Sequence, residues 1–216
     1  MESTDSNSDS VQIELPSIQL EGILVIPRES KGVVVFTHGS GSGRLSPRNA
    51  FVAKALQEAG LGTLLLDLLS QEEDQVYETR FNIGLLAARV VEVTKWLMNK
   101  DEIKGKLIGY FGASTGAAAA LQAAANLSSD ISAVVSRGGR PDLAAPFLSK
   151  VTAPTLLIVG ERDPIVIDMN KVAYDQISSE KDLVIVPGAT HLFEEAGTLE
   201  EVAELATRWF VRYLRE

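Results

Sequence analysis

The 216-residue chain has no cysteine. That excludes structural disulfides, thiolate zinc sites, iron–sulfur clusters and a cysteine nucleophile. Histidine is almost as scarce: only His38 and His191 occur, too few for a polyhistidine metal site. Positive charge is also in deficit, 20 Lys and Arg against 29 Asp and Glu, a net charge of −9. Such a surface suits neither nucleic acid nor an anionic membrane, because both recruit clustered cations. No apolar run approaches the roughly 18 residues of a membrane span. The opening MESTDSNSDS lacks the basic end and apolar centre of a secretion signal. A cytoplasmic location is expected. Residues 1–10 read as a disordered tail, since they offer almost nothing apolar to offset the entropy of ordering. Residues 11–216 read as one domain, a size that buries enough surface to need no staple.

What is present is a rhythm. Val11–Leu15 and Ile18–Ile26 read as an antiparallel edge pair turning at Pro16-Ser17. From Gly32 on, short apolar runs alternate with helical stretches. The runs are Val33–Thr37, Gly62–Leu66, Leu107–Phe111, Ala133–Ser136, Thr155–Val159 and Leu183–Val186. They lack polar alternation, as strands do when helices cover both faces of a parallel sheet. Ile83, Leu86, Val90, Val93 and Leu97 mark one helical face, and Leu199, Val202, Leu205, Trp209 and Tyr213 another. Ala117–Ala125 is a small-residue helix able to lie close to the sheet. Ser70–Thr79 is polar and without period, a surface loop. The fold class is α/β, a mostly parallel central sheet with helices on both faces.

The chemistry centres on Gly112-Ala113-Ser114-Thr115-Gly116, between a strand and the Ala-rich helix. A sharp strand-to-helix turn lifts the Ser114 hydroxyl above the carboxyl ends of the strands, and small flanking residues avoid collisions. A serine hydroxyl needs a base. His191 follows the last strand and lies at the same sheet end, whereas His38 reads as a structural brace. Asp163, after the neighbouring strand, is the favoured carboxylate to orient the imidazole. Glu161 and Asp168 compete, and Asp168 suits a helix N-cap better. Backbone N–H groups of Ser40 and Thr115 are the expected oxyanion donors. The glycines of His38-Gly39-Ser40-Gly41-Ser42-Gly43 do not fit G-x-G-x-x-G, whose third glycine would fall at Arg44. No Gly-Lys-Ser/Thr follows, so a phosphate loop is excluded. Arg44, Arg48, Arg137 and Arg140 gather near these loops. They are candidates to bind a substrate anion, against the plainer reading that they, like Arg80, pair with loop carboxylates.

Together these segments resemble the α/β-hydrolase superfamily, with the chain order Ser114, Asp163, His191. Ser46-Pro47-Arg48-Asn49 and Ser136-Arg137-Gly138-Gly139-Arg140-Pro141-Asp142 are similar to the dienelactone-hydrolase-like branch. That branch proper carries a cysteine nucleophile where this chain has Ser114. The resemblance implies the α/β-hydrolase fold and a cofactor-free, metal-free serine hydrolase. Its substrate would be a small carboxylic ester, lactone or thioester. An acyltransferase using the same triad and a non-catalytic small-ligand receptor are the alternatives. Only residues 137–154 separate two central strands, so no substantial lid domain is expected.

Overall fold

The computed structural model describes residues 8–215. Eight strands form one sheet: β1 (Ser8–Glu14), β2 (Gln19–Val25), β3 (Gly32–Thr37), β4 (Gly62–Leu66), β5 (Leu107–Ala113), β6 (Ile131–Arg137), β7 (Thr155–Gly160) and β8 (Lys181–Val186). Their order is β1-β2-β4-β3-β5-β6-β7-β8. β1 pairs antiparallel with β2 and β2 with β4, while every other pairing is parallel. Ser8, Asp9 and Ser10, expected in the tail, extend β1 because their backbone pairs with Ile23, Leu24 and Val25. The rest of the expected tail, residues 1–7, lies outside the described residues.

The helices are α1 (Pro47–Glu58), α2 (Gln71–Asp74), α3 (Tyr77–Arg80), α4 (Ile83–Met98), α5 (Thr115–Leu127), α6 (Ala145–Leu148), α7 (Pro164–Gln176) and α8 (Thr198–Tyr213). Alternation along each strand divides the core. Val33 and Val35 join α4 and α5 on one face; Val34 and Phe36 meet α1 and α8 on the other. Both faces of β3 are therefore buried, which is why its sequence shows no polar alternation. Between β6 and β7 the chain forms only a 3-10 turn at Pro141–Ala144 and one turn of helix, so no lid is inserted at that connection. No described helix is long and apolar enough to cross a membrane.

Ser70–Thr79 is not a plain loop but holds α2 and most of α3. Ser70 and Glu73 form a reciprocal capping box. Glu73 then takes both prongs of the buried Arg89 guanidinium, each at 2.5 Å, while Arg89 also donates to the Leu68 carbonyl at 2.9 Å. This partner pulls the Glu73 carboxyl below its ordinary range.

His38 is the expected brace. Its Nδ1–H donates to the Gly39 carbonyl at 2.9 Å, and its Nε2 accepts from the Leu68 N–H at 2.9 Å. Both nitrogens are thus satisfied by a neutral ring, and burial lowers its pKa. The unfolded chain takes up a proton near pH 6.5 that the folded one refuses. The stability this position supplies is intact above that value and is lost as pH falls toward the lowered folded value, by at most about 1.4 kcal/mol per pH unit. Calorimetry from pH 7 to 5 should show a shallower fall in Tm for His38→Gln than for the wild type. Parallel curves would refute this role.

Candidate active site

Ser114 follows β5 and caps α5 with φ 52° and ψ −123°, a left-handed backbone that costs a non-glycine residue about 1–3 kcal/mol. The surroundings enforce it. The N–H of Ser114 donates to the Arg137 carbonyl at 3.2 Å, and its own carbonyl accepts from the N–H of Arg140 at 3.1 Å. Gly116 is fixed by close approach, since a Cβ there would stand 2.2 Å from the Thr37 carbonyl oxygen and 2.4 Å from that of His38. A Cβ on Gly112 would meet the Ala117 Cα at 2.4 Å. The small residues on either side of Ser114 thus answer to backbone contacts, as the turn was expected to require.

Asp163 and His191 come together across the neighbouring strands β7 and β8. The Nδ1 of His191 and Oδ2 of Asp163 are 2.6 Å apart. Asp163 sits at the cap position of α7, just before Pro164. Gly160 lets the two loops touch, because a Cβ there would be 2.4 Å from the Ala189 carbonyl oxygen. The N–H of Arg162 also donates to that oxygen at 2.9 Å. Neither rival carboxylate reaches the imidazole. Glu161 accepts from the Gly188 N–H at 2.7 Å. Asp168 is not a cap but lies inside α7, paired with Lys171 at 3.6 Å. Pro164 starts the helix earlier than Asp168 would, its ring fixing a helical φ where no N–H is needed.

The serine and the imidazole share a wall. Gly138, with φ +52°, has its Cβ position 3.4 Å from both Nδ1 and Cε1 of the His191 ring. Its neighbour Arg137 provides the carbonyl that holds the Ser114 N–H. Gly39 lies on the other side, its Cβ position 3.8 Å from the Ser114 Oγ.

The two expected oxyanion donors differ. The Thr115 N–H belongs to the first residue of α5 and has no acceptor within that helix. The Ser40 N–H is not free: it donates to the Thr115 Oγ1 at 3.0 Å, because the Thr115 side chain folds back onto the glycine-rich loop.

The arginines also divide. Arg44 pairs with Glu21 and Asp67, and Arg140 holds Asp142 through two bonds of 2.9 and 2.8 Å. Both were candidate substrate contacts, and both are occupied as loop braces, as Arg80 is by Asp74. Among the described residues Arg48 has a single ion pair, with Glu194 at 3.2 Å. Arg137 has neither an ion pair nor a side-chain hydrogen bond among the described residues. Sequence reasoning missed Phe193, which is buried at φ 56°, lies two residues past His191 and faces the Arg137 guanidinium 5.7 Å from its ring centre. Nothing in its residue type signals that backbone. Among the described residues, no cluster of three or more His, Asp or Glu is arranged to hold a metal.

Comparison with known proteins agrees with this architecture. A dienelactone hydrolase from Anabaena variabilis superposes with a TM-score of 0.95 at 53% identity, over 97% of this chain and 99% of that one. An esterase from Pyrococcus furiosus shares the fold, with a TM-score of 0.80 at 17% identity over 98% of this chain and 92% of its own. A Mycobacterium tuberculosis protein with a provisional phosphoribosyl transferase name is 52% identical over 206 residues, 95% of this chain. The present chain spans only 46% of that relative's length. The family model for the dienelactone hydrolase family matches residues 20–215, and the chain belongs to that family.

Proposed function

We propose that the protein is a serine hydrolase that cleaves a small carboxylic ester, lactone or thioester through an acyl-enzyme on Ser114. The observation that carries this reading is the 2.6 Å contact between Asp163 and His191, set against the same short segment that fixes the strained Ser114. In this mechanism the His191 Nε2 takes the Ser114 proton as Oγ attacks the carbonyl carbon. Asp163 holds the Nδ1–H and stabilises the imidazolium. The tetrahedral oxyanion draws on the Thr115 N–H and displaces the Thr115 hydroxyl from the Ser40 N–H. His191 then protonates the leaving group, and water, deprotonated by the same imidazole, releases the acid and restores Ser114.

The family and the short β6–β7 connection, with no lid inserted there, support a small substrate reached without lid movement. A fluorophosphonate probe tests the reading directly. Peptide mapping should find one adduct, on Ser114, in the folded wild-type protein. A folded protein that takes up no probe would favour a ligand receptor and overturn the proposal.

A further inference from the structure

Arg137 ends β6, beside the nucleophile strand, and only 7% of its surface is exposed. A buried guanidinium is normally paired, because removing its charge from water is costly. Among the described residues Arg137 pairs with no carboxylate, and the charge of Arg48 acts on it. Burial and the charge of Arg48 together bring its pKa down to about 10, still charged at neutral pH. The Arg137 guanidinium lies over the Phe193 ring, and that aromatic sits on the His191 loop with a strained backbone.

Arg48 is also underused. Its Nε is buried without a partner, and its one ion pair is to the exposed Glu194. It occupies the first turn of α1, which contains no acidic residue. Its own N–H has no acceptor within the helix. It lines a cleft of about 410 Å³ formed by residues 41–48 and Asp67. In that cleft Arg44 and Asp67 already neutralise each other.

We propose that Arg137, Arg48 and the first turn of α1 form a subsite for a phosphoryl group, so that the ester cleaved at Ser114 carries a phosphate. Guanidiniums arriving from a strand end and a helix start, one against Phe193 and the other on Glu194, offer donors in several directions. A tetrahedral dianion has an oxygen for each, whereas a flat carboxylate is served by one guanidinium. Phosphate bound there would displace Glu194 from Arg48 and supply the charge Arg137 lacks. The substrate assignment rests on the serine hydrolase reading; the binding site itself does not.

Inorganic phosphate is the probe, measured by calorimetry at constant ionic strength. The wild type should bind it, and Arg137→Gln should weaken binding by roughly tenfold or more, as loss of a charged hydrogen-bond donor does. Arg48→Gln should act in the same direction and serves if Arg137→Gln does not fold. Arg28→Gln, on the exposed surface, should leave phosphate affinity unchanged. Phosphate should also compete with p-nitrophenyl acetate for the wild-type enzyme. No binding, equal binding by wild type and both site variants, acetate binding as tight as phosphate, or binding without competition would each overturn the proposal. If phosphate binds but Ser114 takes no fluorophosphonate, the hydrolase reading fails and the subsite stands.

Discussion

Ser114→Ala should lower kcat for ester hydrolysis by roughly 10⁴-fold or more, with far less change in KM. In the proposed mechanism the hydroxyl forms the covalent bond and no neighbouring group can replace it; the activity left would come from oxyanion binding alone. Ser114→Gly gives a sharper version of the same result. It removes the same hydroxyl but accepts φ 52° without steric penalty. It should therefore lose the same activity while the Tm rises relative to Ser114→Ala. If Ser114 is the nucleophile, its positive φ is a cost to stability retained for function, and this pair separates the two. Steady-state kinetics alongside calorimetry measures both. Activity within tenfold of the wild type in Ser114→Ala would remove the serine from the mechanism.

Asp163→Asn should cost about 10⁴-fold in kcat, as loss of the carboxylate does in other triads. The asparagine can turn its amide NH₂ toward Nδ1, which then holds its proton at Nε2, the nitrogen that must accept one from Ser114. The imidazolium also loses its counter-charge. Glu161→Gln gives the contrast. That carboxylate lies two residues away but serves the Gly188 N–H, so its effect should remain below tenfold. Equal losses in the two variants would show that loop shape, rather than an oriented imidazole, was being measured.

The sheet was legible because its central strands are covered on both faces. Runs such as Val33–Thr37 and Thr155–Val159 have no other arrangement that hides them from water. The short elements were harder. α2 is tied down by Arg89, which lies sixteen positions beyond Glu73, and α3 by Arg80, which bonds Asp74. The Ser70-x-x-Glu73 spacing was the one local sign of a helix start, and Ser46-Pro47 was the corresponding sign for α1. Ser8–Ser10 became strand through their partner, not their composition.

At the site, chain order and sheet end picked out Asp163 and His191, which the structure joins, and Ser114, which it places on the adjoining wall. Two features besides the Phe193 backbone were not legible in the sequence. One is the Thr115 hydroxyl on the Ser40 N–H. The other is the division of the arginines. Arg44 finds Glu21 and Asp67 across the fold and Arg140 finds Asp142 two positions along, while Arg137 finds no carboxylate among the described residues.

Gly160 has one more consequence. The end of β7 presses on the backbone at residues 189 and 190 so closely that even a methyl group would not fit. The carboxylate and the ring it steers are thereby yoked into a single rigid lever. Under the proposed mechanism, adjustment to an incoming acyl group falls on the gap between that unit and the serine, so substitutions at Gly138, whose Cβ position is 3.4 Å from the His191 ring, should alter reactivity more than substitutions elsewhere on the loop.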